Sequence, residues 1–183
     1  MDYKDILDLV LDSDDVTVGG GSSSALSGAM AAGLMAMVTK LSMKKEFGLS
    51  KDELQLIAIE LEKLKEELLL GAVKDREAYL EIVKAYKLPK VKSEENKRQK
   101  AIENAGVIAA TAPKENAIKC KKLLEIGERL KGHTNPACAT DLNMGIELAK
   151  AGLIGAKMNI EVNLSLIKDE EKLREFKEVL EEL

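Results

Sequence analysis

The sequence predicts an all-α protein, an up-and-down helical bundle whose long core helices are rich in small residues. Aromatic residues make up 3% of the chain and tryptophan is absent, whereas the strong helix formers Ala, Leu, Lys and Glu are abundant. Apolar residues recur at helical spacing outside the loops. A length of 183 residues suits one ordinary core, so we expect residues 1–183 to form a single domain.

Charge and cysteine content narrow the classes of partner and compartment. The formal net charge of −4 provides no excess positive field, so no nucleic-acid partner is expected. Cys120 and Cys138 follow no secretory signal, so we expect both to remain thiols in a cytoplasmic protein. The uncharged run 16–39 is diluted by Gly, Ser and Ala, which argues against insertion into a membrane.

The helices follow in order, beginning with a short amphipathic helix over residues 1–11. The stretch 17–43 then combines a glycine turn with a helix of small residues, and we expect any of Ser22 to Ser24 to cap that helix. Small residues allow partner helices to approach its backbone closely, while Leu26, Met30, Leu34, Met37 and Leu41 supply apolar bulk. A glycine turn at a helix start is either a plain turn or an anion-binding shape.

Four further helices are predicted downstream. Ser50 and Glu53 form a capping-box pattern for a long helix that ends near Leu88-Pro89, with Gly71 as a local weakness. Ser93 is expected to cap the next helix, which Pro113 should kink or interrupt. After the loop 131–136, residues 137–164 form a second small-residue helix able to pack closely on the first, and residues 169–183 form a charged amphipathic helix.

Few residues are candidates for chemistry. One histidine and two scattered cysteines do not supply a closed metal site, so we expect no metal and assign any catalysis to carboxylates, amides and lysines. Asp75 lies midway along the long helix, where aspartate is a poor helix former; it is either functional or part of an exposed charged turn. Asp141 is the second candidate acid, and its alternative role is to cap the start of a helix, where an acid stabilises the helix dipole. Asn159 and Asn163 either bind a ligand or end the helix.

Several motifs occur together in a specific order. They are Gly19-Gly20-Gly21-Ser22, Asp75-x-x-Ala78-Tyr79, Leu88-Pro89-Lys90, Pro113 inside a helix, Asn135-Pro-Ala-Cys-Ala-Thr140-Asp141-Leu142 and Gly155-Ala156-x-x-Asn159-x-x-x-Asn163-Leu164. With them, the chain resembles the formimidoyltetrahydrofolate cyclodeaminase and methenyltetrahydrofolate cyclohydrolase family over nearly its full length. Val18 stands where the family commonly has proline, and Tyr79 where it commonly has phenylalanine.

The resemblance implies a helical subunit of the cyclodeaminase type, usually a homodimer, that binds a tetrahydrofolate derivative in a groove beside the glycine turn. Asp75 falls on the family's catalytic aspartate, which shuttles a proton and whose pKa a dry groove would raise. Lys44 and Lys45 match basic positions suited to the glutamate carboxylates of folate. The other family positions near the cleft are Gly19, Gly20, Gly21, Ser22, Asn135, Asp141, Asn159 and Asn163. No cofactor beyond the folate substrate is implied.

Two activities and one non-catalytic alternative remain open at this point. A methenyltetrahydrofolate cyclohydrolase, which interconverts 5,10-methenyl- and 10-formyltetrahydrofolate, is favoured because no formiminotransferase domain precedes the chain. A formimidoyltetrahydrofolate cyclodeaminase would instead release ammonia from 5-formiminotetrahydrofolate. A helical dimerisation or folate-binding module without catalytic activity is the third alternative.

Overall fold

The computed structural model describes residues 2–183, and across that range it contains six α-helices and no β-strand. The helices are α1 (Tyr3–Leu11), α2 (Gly20–Ser42), α3 (Lys51–Tyr86), α4 (Glu95–Leu130), α5 (Ala139–Leu164) and α6 (Glu170–Glu182). Short 3₁₀ turns at Lys92–Glu94 and Pro136–Cys138 precede α4 and α5. The all-α class is confirmed; Met1, which we expected to begin the first helix, lies outside the described residues.

Helices α2 to α5 form an up-and-down bundle in which each helix runs antiparallel to the next. The start of α2 meets the middle of α3, where the Ser22 hydroxyl lies 3.0 Å from the Ala72 carbonyl oxygen. The end of α2 reaches the first half of α3, where Lys40 pairs with Glu62. Helix α2 also packs on α5, and α4 lies diagonally across the bundle from α2. Helices α1 and α6 cover the outside, each burying one large side chain, Ile6 and Phe176.

The two small-residue helices α2 and α5 approach each other at backbone distance. A Cβ atom added to Gly152 would lie 2.9 Å from the Ser24 carbonyl oxygen, and one added to Gly145 would lie 3.3 Å from the Ala31 carbonyl oxygen. Both distances are tighter than ordinary carbon–oxygen contacts. The predicted close packing of these two helices is confirmed, and at position 152 it leaves no room for a side chain.

The serine caps predicted for α2 are wrong. The helix begins at Gly20 with Gly19 as its N-cap residue, and no side chain caps it. Ser23 and Ser24 lie inside the first turns, where their hydroxyls donate to the carbonyls of Gly19 and Gly20 at 2.9 and 2.5 Å. Ser hydroxyls commonly bond to a carbonyl four residues back in a helix, which leaves the first N–H groups of α2 without a local side-chain partner.

The predictions for α3 and for the start of α4 have different outcomes. The Ser50–Glu53 capping box is present. Gly71 causes no break, because α3 runs on to Tyr86, and the residue instead packs against the Asn116 side chain of α4. The predicted Ser93 cap is wrong, since Ser93 lies in the 3₁₀ turn and Glu94 occupies the cap position.

Pro113 does not interrupt α4, which continues unbroken from Glu95 to Leu130. Proline has no N–H, so the carbonyl four residues earlier, that of Ala109, loses its normal helical donor. The side chain of Asn163 on α5 replaces this donor, with its Nδ2 atom 3.0 Å from the Ala109 oxygen. A hydrogen bond between helices therefore compensates for the one that proline removes.

Helix α2 is long and apolar enough to cross a membrane by length and composition. However, 61% of its most apolar 18-residue window is buried inside the bundle, as is usual for the core helix of a globular fold.

Candidate active site

A cavity of about 420 Å³ opens where the start of α2 faces the middle of α3 and the end of α5. Six of the residues predicted for the site line it: Gly19, Gly20, Gly21, Asp75, Asn159 and Asn163. They come from three segments that are far apart in the chain. The bundle therefore brings the glycine turn, the aspartate and the two asparagines into one cavity.

Asp75 lies directly against the first turn of α2. The Ser22 hydroxyl is 2.9 Å from Asp75 Oδ2, and a Cβ atom added to Gly21 would lie 2.6 Å from the carboxyl carbon of Asp75. Only glycine at position 21 leaves room for this carboxyl group. The anion-binding end of the glycine turn is thus occupied by a carboxyl group of the protein itself.

The pKa of Asp75 is raised above its ordinary value, mainly because burial removes water from the carboxylate. Hydrogen bonds from the side chain and backbone of Ser22 stabilise the charged form and oppose part of this rise. The direction of the pKa shift agrees with the expectation for an aspartate in a dry groove. A carboxyl group of this kind gains and loses a proton closer to neutral pH than an exposed one.

The Ser22 hydroxyl lies within hydrogen-bond distance of both Asp75 Oδ2 and the Ala72 carbonyl oxygen. A hydroxyl has one hydrogen, so it donates to one acceptor at a time. It can donate to the ionised carboxylate of Asp75, or donate to Ala72 and accept a hydrogen bond from the protonated acid. Ser22 is therefore able to support both protonation states of Asp75 without moving.

The loop before α2 is held in place by two further contacts. The Thr17 hydroxyl lies 2.6 Å from the Asp15 carboxylate and 3.1 Å from Arg76 Nε, which links the loop to the residue next to Asp75. Val18 is buried against α1 and α3 in a small apolar cluster. Packing of this valine supports the start of the glycine turn at the position where the family commonly has proline.

Asn159 and Asn163 form the wall opposite Asp75. Asn159 Nδ2 donates to the Gly155 carbonyl at 2.8 Å, and Asn163 Nδ2 donates to the carbonyls of Ala109 and Asn159. A side-chain amide nitrogen carries two N–H groups, so these contacts use both N–H groups of Asn163 and one of the two of Asn159. The two Oδ1 atoms, which are hydrogen-bond acceptors, and the second N–H of Asn159 remain available to a ligand.

Two tyrosines and an isoleucine in the cavity were missed by the sequence reasoning as site residues. Tyr79, Ile82 and Tyr86 line it along α3, at four, seven and eleven residues after Asp75. This is the spacing of one helix face, so the signal was present in the sequence. Tyr79 and Tyr86 are 39% and 46% exposed, and they are two of only five aromatic residues in the chain.

The remaining predicted residues lie at the other end of the bundle. Lys44 and Lys45 follow the C-terminal end of α2, whose 23 residues separate them from the glycine turn by roughly 33 Å. Asn135 lies at that same end, where its backbone N–H donates to the Ser42 hydroxyl at 2.9 Å. Asp141 lies in the first turn of α5, a favourable place for an acid beside a helix N-terminus. Within one chain these four residues do not line the cavity.

The chain is similar to known proteins over nearly its whole length. Residues 4–182 match the formiminotransferase-cyclodeaminase family. The chain belongs to this family. It is 32% identical to a methenyltetrahydrofolate cyclohydrolase of Methylorubrum extorquens over 178 residues, covering 94% of this chain and 86% of that protein. It is 31% identical to the formimidoyltransferase-cyclodeaminase of Gallus gallus, covering 83% of this chain and 28% of that longer protein.

A solved structure of the family has the same fold. The formiminotetrahydrofolate cyclodeaminase of Thermotoga maritima superposes with a TM-score of 0.86 at 30% identity, covering all of this chain and 87% of that one. These similarities confirm the predicted family, the all-α bundle and the assignment of the chain to enzymes of folate one-carbon chemistry.

A larger groove of about 630 Å³ lies between α3 and α4. Its rim carries charged residues such as Lys74, Glu77 and Glu115, and none of the predicted site residues lines it. Among residues 2–183, no three His, Cys, Asp or Glu side chains are grouped so that they could hold a metal ion. The Asp75 cavity, which the predicted residues line, is therefore the candidate active site.

Proposed function

We propose that the chain is a methenyltetrahydrofolate cyclohydrolase with Asp75 as its proton-transfer group. One observation carries the proposal: a partly buried carboxyl group with a raised pKa lies beside the glycine turn in a cavity of the fold. The likeness to the cyclohydrolase of Methylorubrum extorquens, which spans most of both chains, supports this activity.

In this proposal Asp75 transfers protons in the hydration of the one-carbon bridge. Ionised Asp75 accepts a proton as a water oxygen bonds to the methenyl carbon between N5 and N10. The bond from that carbon to N5 then breaks, Asp75 returns its proton to N5 and is ionised again, and the carbon stays on N10 as a formyl group. The second water proton passes to solvent, and Ser22 stabilises the carboxyl group in both states.

The opposite wall orients the substrate in the proposed complex. The free Oδ1 atoms of Asn159 and Asn163 are acceptors, and the edge of a reduced pterin carries N–H donors. Pairing these groups would hold the ring system with its one-carbon bridge toward Asp75. No metal or further cofactor is required for this reaction, and we propose a tetrahydrofolate derivative as the only small-molecule partner.

A two-substrate assay tests the proposed function. Purified protein should remove the absorbance of methenyltetrahydrofolate faster than the buffer does, and Asp75→Asn should lower kcat by at least about 100-fold. Full activity in Asp75→Asn would contradict the proposed role. Binding of the folate without turnover by the wild type would instead favour the non-catalytic folate-binding module.

Cyclodeaminase activity is the second candidate, because both the Gallus gallus and the Thermotoga maritima relatives bear that name. The same carboxyl group would then give a proton to departing ammonia while N10 attacks the formimino carbon. Release of ammonia from 5-formiminotetrahydrofolate distinguishes the two activities. A protein that releases ammonia at a higher kcat/KM than it hydrates the methenyl form is a cyclodeaminase.

We also propose that the protein is a cytoplasmic homodimer with no nucleic-acid or membrane partner. The outward side of α2 is apolar, with Met30, Met37 and Leu41 exposed at one helix face, and the exposed side of α5 carries Met144 and Met158. Met30 is 56% exposed and Met158 is 61% exposed. Apolar side chains grouped in this way are typical of a subunit interface.

Light scattering tests the dimer. Met30→Glu combined with Met158→Glu should yield monomers, because two buried, unpaired charges would oppose association. Ile118→Glu on α4, which lies across the bundle from α2, is the matched control and should leave the dimer intact. A wild-type protein that is monomeric at micromolar concentration would contradict the proposal.

A further inference from the structure

The residues along α3 after Asp75 continue the cavity away from the proposed reaction centre. Tyr79, Ile82 and Tyr86 share one helix face with Asp75 and all line the cavity. From Asp75 to Tyr86 the helix rises by roughly 16 Å. An elongated ligand with its reacting atoms at Asp75 would thus extend along the two tyrosine rings, and flat rings stack well on such side chains.

A cation lies at the distant end of this row. The guanidinium carbon of Arg98 is 5.6 Å from the centre of the Tyr86 ring, and its Nη2 atom donates to the Tyr86 carbonyl at 3.3 Å. Among residues 2–183 no carboxylate forms an ion pair with Arg98, and its Nε atom is buried without a hydrogen-bond partner. Buried N–H groups of arginine normally have acceptors, so Arg98 has hydrogen-bond donor capacity that the described residues do not use.

We propose that Arg98 binds the glutamate carboxylate of the folate substrate, with Tyr86 supporting the aminobenzoyl ring that precedes it. The inference rests on the proposed function, because it takes the substrate to be a folate that reacts at Asp75. The guanidinium group suits this role, since its fork of N–H donors matches a carboxylate. The stacking on Tyr86 holds the side chain in place before the ligand binds.

The proposal assigns the glutamate tail differently from the sequence resemblance. Lys44 and Lys45 lie roughly a full length of α2 away from the cavity, whereas Arg98 contacts a residue that lines it. Lys44 and Lys45 could reach the cavity only from a second subunit. A kinetic comparison of variants separates the two assignments.

The experiment uses two substrates that differ only in the tail, methenyltetrahydrofolate and methenyltetrahydropteroate, which lacks glutamate. Arg98→Gln should raise KM about tenfold for the substrate with glutamate and leave KM for the pteroate unchanged, with little effect on kcat. The KM of Arg98→Lys for the substrate with glutamate should lie between those of the wild type and Arg98→Gln. Lysine keeps the positive charge but lacks the paired N–H donors of the guanidinium group. Lys97→Gln removes a neighbouring exposed charge and is the matched control, expected to have no effect.

The other outcomes overturn the proposal in distinguishable ways. An equal rise in KM for both substrates in Arg98→Gln would mean that Arg98 supports the fold and does not bind the glutamate tail. The double variant Lys44→Gln/Lys45→Gln could instead raise KM only for the substrate with glutamate while Arg98→Gln does not. That result would assign the glutamate tail to the two lysines. Turnover of neither substrate by the wild type would remove the proposed function itself, and the tail site with it. Should Arg98→Gln unfold, Arg98→Lys provides the test. A rise in its KM for the substrate with glutamate but not for the pteroate supports the proposal, and equal changes in both KM values contradict it.

Discussion

At the scale of single residues, the central feature is the balance of forces on Asp75. Burial raises its pKa, while the Ser22 hydrogen bonds and the start of α2 stabilise its ionised form. Burial alone would raise the pKa further, and the hydrogen bonds alone would lower it. The net pKa is raised, which suits a group that both accepts and donates protons.

Asp75→Asn should stabilise the fold at neutral pH while it removes activity. The native pKa lies above the unfolded value of about 3.8, so the native state binds the proton more tightly. The stability that Asp75 contributes is therefore fully present below about pH 3.8 and is lost as pH rises through the raised native pKa. Asn does not titrate, and the variant should be about 1 kcal/mol more stable at neutral pH.

Urea unfolding from pH 4 to pH 8 measures this difference. The advantage of Asp75→Asn over the wild type should grow with pH and then become constant. An advantage that is independent of pH over the whole range would contradict the raised pKa.

Gly21→Ala should reduce activity at least about 30-fold with little change in helix content. The added methyl group would overlap the Asp75 carboxyl group, which must then leave its place beside Ser22. Enzymatic rates fall steeply with misplacement of a catalytic group by about 1 Å. Steady-state kinetics and far-ultraviolet circular dichroism measure the two effects, and normal kcat in this variant would contradict the geometry.

At the scale of helices, the link between α4 and α5 is the least expected feature. Pro113 removes one helical hydrogen bond, and Asn163 restores a donor to the Ala109 carbonyl from another helix. The same asparagine lines the cavity. A proline that the sequence presented as a break is thus part of the construction that holds one wall of the site.

A double-mutant cycle tests this link. Asn163→Ala should cost about 1–3 kcal/mol of unfolding free energy, because the Ala109 carbonyl is left without a donor. Adding Pro113→Ala supplies a backbone N–H to that carbonyl and should recover part of the loss. We expect a coupling energy above about 0.5 kcal/mol from chemical denaturation, whereas strictly additive effects would show that the two residues act independently.

At the scale of the whole molecule, the contact between α2 and α5 sets the distance between two walls of the cavity. Gly152 lets α5 approach the Ser24 carbonyl, and about two turns farther along α5 Asn159 faces Gly20 at the cavity wall. Any increase in the spacing of these helices would separate the asparagine wall from the glycine turn. Stability and site geometry therefore depend on the same close packing.

Gly152→Ala should destabilise the protein by about 1–3 kcal/mol, because its methyl group meets backbone atoms that cannot rotate away. Gly33→Ala is the matched control in α2, where the nearest atom outside the helix is Lys65 Cδ at 3.9 Å. Alanine is the better helix former, so this control should gain about 0.5–1 kcal/mol. Thermal unfolding of both variants provides the comparison, and equal melting temperatures would contradict the packing argument.

The sequence by itself determined the helices, because helix formation depends on neighbours three and four residues apart. The capping box of Ser50 and the apolar periodicity of the long helices could be read locally, and Asp75 stood out as a poor helix former in mid-helix. Local patterns failed where a tertiary contact decided the outcome, as for the serines of α2 and for Pro113.

Only the tertiary structure decided which distant residues share a cavity. The axial offset between packed helices sets this, and it brought Ser22 to Asp75 and Asn163 to Ala109. It also left Lys44 and Lys45 at the opposite end of α2 and added Tyr79 and Tyr86 to the cavity. The offset follows from where glycines and alanines permit close approach on both helices at once, a condition that no single stretch of sequence contains.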